Sequence, residues 1–291
     1  MFVSGFTIVR NAIKYDYPVK ESIGSLLPIC DEVIVLIGQS EDETEALIRS
    51  IDSPKIKIHH SIWDDSLREG GQVLAIETNK AFELVNPKAD WCFYIQADEV
   101  FPEQDVQRLK QAMEKHLKNN RVEGLLFDYV HFFGSYDYVA ASRDFYRHEI
   151  RVIRKDSSIS SYRDAQGFRK NGRKLKVAKT GAHIHHYGWV RHPETMAGKI
   201  RDFHKLWHSD EWVEAQKQLN QEFDYNGIDT LNRFEGQHPL VMKFRIEEKN
   251  WDFIPKLDKK NIPFRKKILY LVESLTGYRL GEYKNYELLN E

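Results

Sequence analysis

The chain has 291 residues, 41% hydrophobic and 30% charged, with 43 basic against 44 acidic side chains. That balance fits a soluble globular protein of one large α/β domain, or one domain plus a smaller appendage, and gives no general attraction to nucleic acid or to a membrane. No stretch approaches the ~18 apolar residues of a membrane span and no signal peptide is evident, while Cys30 and Cys92, both in apolar surroundings, read as the buried reduced thiols of a cytoplasmic protein.

Residues 2–9 read as a first strand, ended by Arg10 and Asn11. A helix is predicted over about 18–27, opened by Pro18 and stopped before Pro28. The β-branched run 33–37 is a second buried strand. Ser40 with Glu43 three residues on forms a capping box, which predicts a helix from there to about Ser50. Residues 55–59 read as a third strand and 71–85 as a helix with Leu74, Ala81, Phe82 and Val85 on one side. Next comes the apolar run 91–95, which ends abruptly in Gln96, Ala97, Asp98 and Glu99. Such a run is expected to be a central strand buried on both faces. A helix follows over 103–118, with Val106, Leu109, Met113 and Leu117 near helical spacing.

Four alternations of strand and helix in about 120 residues predict a mostly parallel sheet with helices on both faces. The pattern then changes. Residues 122–133, 137–141 and 148–154 look like strands with little helix between them, and 159–187 read as irregular, basic and rich in Gly and His. From about 195 the chain is helical and aromatic-rich, broken by Pro239, Pro255 and Pro263. The predicted division is a domain over 1–193 and a helical extension over 194–291.

Three constellations carry chemistry. Asp98 and Glu99 sit at the carboxyl tip of a predicted central strand, where open α/β sheets place their ligands. Asp98 is the candidate ligand for a divalent cation. Glu99 either supports it from behind or caps the helix after Pro102. Next, Gly181 to His192 holds His183, His185 and His186, a source of an imidazole ligand or a phosphate contact, with Arg191 and His192 as further donors to phosphate. In an extended segment His183 and His185 share one face and His186 takes the other. Finally, Asp164 lies in a polar loop, as a general base toward a hydroxyl or as the surface partner of Arg163 or Arg169.

Residues 4–101 resemble the nucleotide-sugar half of GT-A fold glycosyltransferases of the inverting family-2 type. The likeness rests on Thr7-Ile-Val-Arg10-Asn11, on the strand 33–37 followed by Ser40 to Thr44, on Gly70-Gly71 through Asn79-Lys80-Ala81, and on Asp90-Trp91 with Gln96-Ala97-Asp98-Glu99. Arg151 to Lys155 resembles the family's strand ahead of its acceptor loop, so the likeness covers roughly the first 190 residues. It implies a GT-A (Rossmann-like) α/β sheet and a donor site at Thr7, Arg10, Asn11, Asn79, Gln96, Ala97 and Arg191. It further implies a divalent ion, Mn²⁺ or Mg²⁺, on Asp98 with His185 or His186, and a catalytic base, for which Asp164 is nearest in position. Two departures stand out: Gln96 replaces the first acid of the family's metal motif, and Ile37 replaces the acid that contacts the nucleobase.

The implied reaction moves a sugar from a nucleoside diphosphate donor, UDP-sugar ahead of GDP-sugar, to a glycan or lipid-linked acceptor, with bacterial surface glycan synthesis as the setting. Nucleotidyl transfer is a rival, weakened because no Gly-rich phosphate loop with lysine follows the first strand. A non-catalytic nucleotide- or sugar-binding protein of the same fold is another. The aromatic-rich C-terminal region covers the acceptor cleft, forms a dimer contact or packs as a helical unit. Within it, the basic amphipathic segment 264–275 either packs on the sheet or touches a membrane surface, at the inner face of the cytoplasmic membrane.

Overall fold

The computed structural model describes residues 1–216, 221–255 and 262–289. Its first half alternates as predicted: β1 (Val3–Val9), α1 (Val19–Leu26), β2 (Glu32–Gly38), α2 (Thr44–Arg49), β3 (Ile56–Ser61), α3 (Gln72–Leu84) and β4 (Trp91–Tyr94). The four strands run parallel in the order β3-β2-β1-β4. A short β5 (Glu99–Val100) and helix α4 (Val106–His116) follow.

Both faces of this sheet are covered, which explains its unbroken apolar strands. Val33, Val35, Ile37, Trp91, Phe93 and Ile95 pack toward α1, α2 and α4. Their alternating neighbours Ile34, Leu36, Cys92 and Tyr94 pack toward α3. Each fully buried large apolar side chain contributes roughly 1.5–3 kcal/mol. Gly5 lets α1 come close: a Cβ there would lie 2.9 Å from Leu26 Cδ1.

The sheet continues antiparallel through β6 (Gly124–Phe133), β7 (Ser135–Ala140) and β8 (His148–Ile153), with β8 seated between β4 and β6. The stretch expected to be irregular is instead ordered strand. β9 (Ile159–Tyr162), β10 (Gly167–Lys170) and β11 (Arg173–Lys174) form a small antiparallel sheet, and β12 (Lys176–Trp189) runs for 14 residues. Local pattern hides β12 because its partner β6 supplies the ladder, and because a register shift between Lys179 and His183, around Gly181 at φ +67°, breaks the alternation.

Helices α5 (Pro193–His204), α6 (Asp210–Ala215), α7 (Lys243–Glu247) and α8 (Phe264–Thr276) follow. The same region also returns two strands to the main sheet, β13 (Leu231–Arg233) beside β7 and β14 (Glu287–Leu288) beside β12. The expected capping box is not used. The Ser40 hydroxyl accepts from the Asn11 amide (3.0 Å) and donates to the Gly38 carbonyl (3.0 Å), so α2 starts at Thr44, whose amide donates to Asp42 Oδ1 (3.0 Å).

Candidate active site

A cavity of about 380 Å³ opens over the carboxyl ends of β1 and β4. Arg10, Asn11, Gln96, Ala97 and Asp98 line it, as do Trp63 and Lys199. Asn11 takes a left-handed backbone (φ +56°), which asparagine tolerates, and its Oδ1 accepts from the Glu41 amide at 2.8 Å. Arg10 leaves the strand end to pair with Asp65 (2.6 Å), its guanidinium 5.7 Å over the Trp63 ring. Trp63 seats on Gly38, where a Cβ would fall 2.4 Å from its Nε1.

Asp98 and Glu99 diverge. Glu99 is fully buried and locked by Arg151 through two bonds of 2.7 and 2.8 Å, by the Tyr129 hydroxyl (2.8 Å) and by the Gln96 amide (3.0 Å). It has no capacity left for a ligand. Asp98 lies at the cavity floor, its Oδ2 accepting from Lys199 Nζ at 3.0 Å. Burial alone would raise the Asp98 carboxyl, but the cations of Lys199 and Arg191 outweigh it and hold the group well below the usual carboxylate range. Burial and Arg191 push the Lys199 ammonium down to about 8.

β12 brings His186 to this floor. Its register opposes His186 to His131 on β6 and to Glu99 on β5, and the Tyr187 amide donates to the Asp98 carbonyl at 2.8 Å. His186 Nε2 stands 3.8 Å from Asp98 Oδ1. Burial, the leading cause for each, keeps both His131 and His186 neutral. Their tautomers then follow from geometry. His131 Nε2 faces the Tyr146 carbonyl at 2.8 Å and must donate to it. His131 Nδ1 is therefore an acceptor, and it takes the proton on His186 Nδ1 across 3.1 Å. His186 Nε2 is left presenting a lone pair toward Asp98.

A nitrogen lone pair and a carboxylate oxygen facing one gap are ligand types that suit a divalent ion. Gly188 keeps the gap clear, since a Cβ there would lie 2.4 Å from His186 Nε2 and 2.9 Å from Asp98 Oδ2. Among the described residues no group of three His, Cys, Asp or Glu side chains assembles as a metal site. Asp98 and His186 offer two donors of types that suit such an ion, and the described residues bring no third beside them.

Several expected site residues lie elsewhere. His185 alternates to the opposite face of β12, against Phe132 and Tyr187, where burial drives its pKa down to about 3; it cannot share a metal with Asp98. Thr7 is fully buried within β1 and does not line the cavity. Asn79 is a staple, its Oδ1 accepting from the Ser161 amide at 2.6 Å. Arg191 is fully buried behind Tyr17, its guanidinium 5.3 Å over that ring, with Nε and Nη2 lacking hydrogen-bond partners. Asp164 sits in the β9–β10 turn. Its neighbour Ala165 lines the cavity, while its own Oδ1 is buried without a partner and burial raises its pKa. Sequence reading missed Lys199, Trp63 and His131. They lie on a late helix, a loop and an inner strand, and no local motif marks them.

No protein-family model matches the chain, and no curated protein sequence matches it. Among solved structures it is similar to S. aureus TarS 1-349 in complex with UDP, at 15% identity over 69% of this chain and 64% of that one, with a TM-score of 0.42. It is also similar to 4-diphosphocytidyl-2C-methyl-D-erythritol synthase from Anaerococcus prevotii, at 14% identity over 65% and 91% of the two chains, TM-score 0.38. A third is glucosyl-3-phosphoglycerate synthase from Mycobacterium tuberculosis with Mn²⁺, UDP and phosphoglyceric acid, at 18% identity over 45% and 43%, TM-score 0.30. The chain spans less than two thirds of the TarS chains it matches, down to 38% of the longest.

Proposed function

We propose that this protein is a glycosyltransferase that moves a sugar from a nucleoside diphosphate donor to a hydroxyl of a glycan or lipid-linked acceptor. A UDP-sugar is the favoured donor and bacterial surface glycan synthesis the setting. The observation that carries the reading is the cavity floor at the β4 tip. There Asp98, His186 and Lys199 converge, with Arg191 buried behind Tyr17. Two cations against one carboxylate make a site suited to a diphosphate. The family resemblance of residues 4–101 supports the same donor.

In this reading the nucleoside stacks against Trp63, which compensates for the missing acid at Ile37. Asp98 and His186 would hold Mn²⁺ or Mg²⁺, which would supply Lewis-acid stabilisation of charge on the departing diphosphate. Lys199 donates to the phosphate oxygens, and Arg191 adds positive field from behind. Asp164 takes the acceptor's proton. As the acceptor oxygen forms its bond to the anomeric carbon, the bond from that carbon to the phosphate oxygen breaks. The nucleoside diphosphate leaves on the opposite side and the configuration inverts.

The test is donor hydrolysis and thermal stabilisation with a panel of UDP- and GDP-sugars, with and without Mn²⁺. Turnover of at least one nucleotide sugar is expected. No turnover and no stabilisation by any of them overturns the reading, and release of pyrophosphate from a nucleoside triphosphate would replace it with nucleotidyl transfer.

A further inference from the structure

Helix α8 is mounted with its apolar side outward. Phe264, Ile268, Leu271 and Leu275 follow one another at i, i+4, i+7 and i+11, which is one stripe of an α-helix. They are 78, 47, 58 and 76% exposed, and no residue of the helix is buried. A helix packed on a core would show the reverse.

Polar contacts hold its other side. Lys266 Nζ reaches Asp144 (2.8 Å) and Asp229 (3.1 Å). The Tyr270 hydroxyl donates to Asp229 (3.1 Å) and accepts from the Arg143 amide (3.0 Å). Glu273, the only acid of the helix, is taken by Arg143 and by Arg279 Nε (2.7 Å). The outward side therefore has no negative charge of its own. Exposed Arg265 and Lys267 flank the apolar stripe, and exposed Tyr278 and Tyr283 follow the helix. Among the described residues no helix is long and apolar enough to cross a membrane.

We propose that α8 is a docking surface for an anionic lipid bilayer. The helix lies in the plane of the interface, its stripe entering the boundary between headgroups and acyl chains while Arg265 and Lys267 meet lipid phosphates. The mixed character of the face decides the occupant. A purely apolar stripe would suit a second protein surface, whereas a stripe edged with cations and free of acids matches acidic headgroups over hydrocarbon. The assignment does not depend on the reaction in the cavity.

The experiment is flotation of the full chain with phosphatidylglycerol–phosphatidylcholine vesicles and with pure phosphatidylcholine vesicles. Binding to the anionic vesicles is expected, with about tenfold weaker partitioning to the neutral ones. Leu271→Glu with Leu275→Glu should abolish binding to both. Arg265→Gln with Lys267→Gln should remove only the preference for phosphatidylglycerol. All four side chains are exposed, so melting temperature should stay at the wild-type value. Failure of the wild-type chain to float with anionic vesicles at low salt overturns the proposal. So does undiminished flotation of the Leu271→Glu, Leu275→Glu variant, or its conversion of a dimer to a monomer without any vesicle binding in the parent, which would make a second copy the occupant.

Discussion

Asp98 and Glu99 are adjacent in the chain, yet their carboxylates have unrelated partners: Asp98 faces Lys199 and His186 at the cavity floor, and Glu99 is closed off by Arg151 and Tyr129 in the interior. The turn between β4 and β5 separates them. It sends one acid to the cavity floor and the other into the sheet, so the two should respond differently to substitution.

For Asp98, replacement by asparagine should weaken Mn²⁺-dependent binding of a UDP-sugar by at least about tenfold, the loss that even an outer partner of a metal ligand gives. Titration calorimetry with and without Mn²⁺ reads this directly. Asparagine is the better probe than alanine, because alanine would leave the Lys199 ammonium with the Gly188 carbonyl but no side-chain acceptor in place of Asp98. Unchanged nucleotide affinity with Mn²⁺ present would show that Asp98 holds no ion.

For Glu99, the buried pair with Arg151 makes the prediction one of stability. Glu99→Gln or Arg151→Met strands a charged or strongly polar partner in the interior and should cost about 3–5 kcal/mol in urea denaturation. The double variant should lose less than the sum of the two. Wild-type stability in Arg151→Met would refute the structural role.

His131 should act on the ion without touching it. Its Nδ1 accepts the proton that fixes the tautomer of His186. His131→Phe should lower Mn²⁺ affinity by about 10- to 100-fold, and His131→Asn, whose amide oxygen can accept the same proton, should retain more of it. Mn²⁺ paramagnetic resonance in the presence of UDP distinguishes the two. Equal loss in both variants would mean that His131 serves only packing.

Glu149 supplies a pH signature. Burial, the main cause, pushes its carboxyl up to about 7 from 4.5, and its Oε2 has no hydrogen-bond partner. The unfolded chain releases this proton near pH 4.5, whereas the folded chain holds it to about pH 7. In that interval the folded state binds more protons, so stability falls as pH rises. The full loss is reached above about pH 7 and amounts to about 3 kcal/mol. Glu149→Gln should flatten that slope and be the more stable chain at about pH 8. Urea midpoints measured on either side of the interval check it; a slope unchanged by the substitution would assign it to another group.

The sequence alone determined the α/β class and the first half of the sheet. Runs such as Val33 to Ile37 are apolar on both sides of the strand, and only burial between two layers tolerates that. It also placed Asp98 at a strand tip, because an abrupt change from apolar to acidic residues marks where a central strand leaves the core. The choice among the histidines was a matter of tertiary structure. His186 meets His131 across 55 residues of chain, through a strand register that no local pattern states. The same holds for Lys199, which reaches Asp98 from a helix about a hundred residues later, and for α8, whose periodicity announced an amphipathic helix but not which side would face out. Periodicity reports that a face is apolar; what that face meets depends on ion pairs formed by distant residues, here Asp144, Asp229 and Arg143.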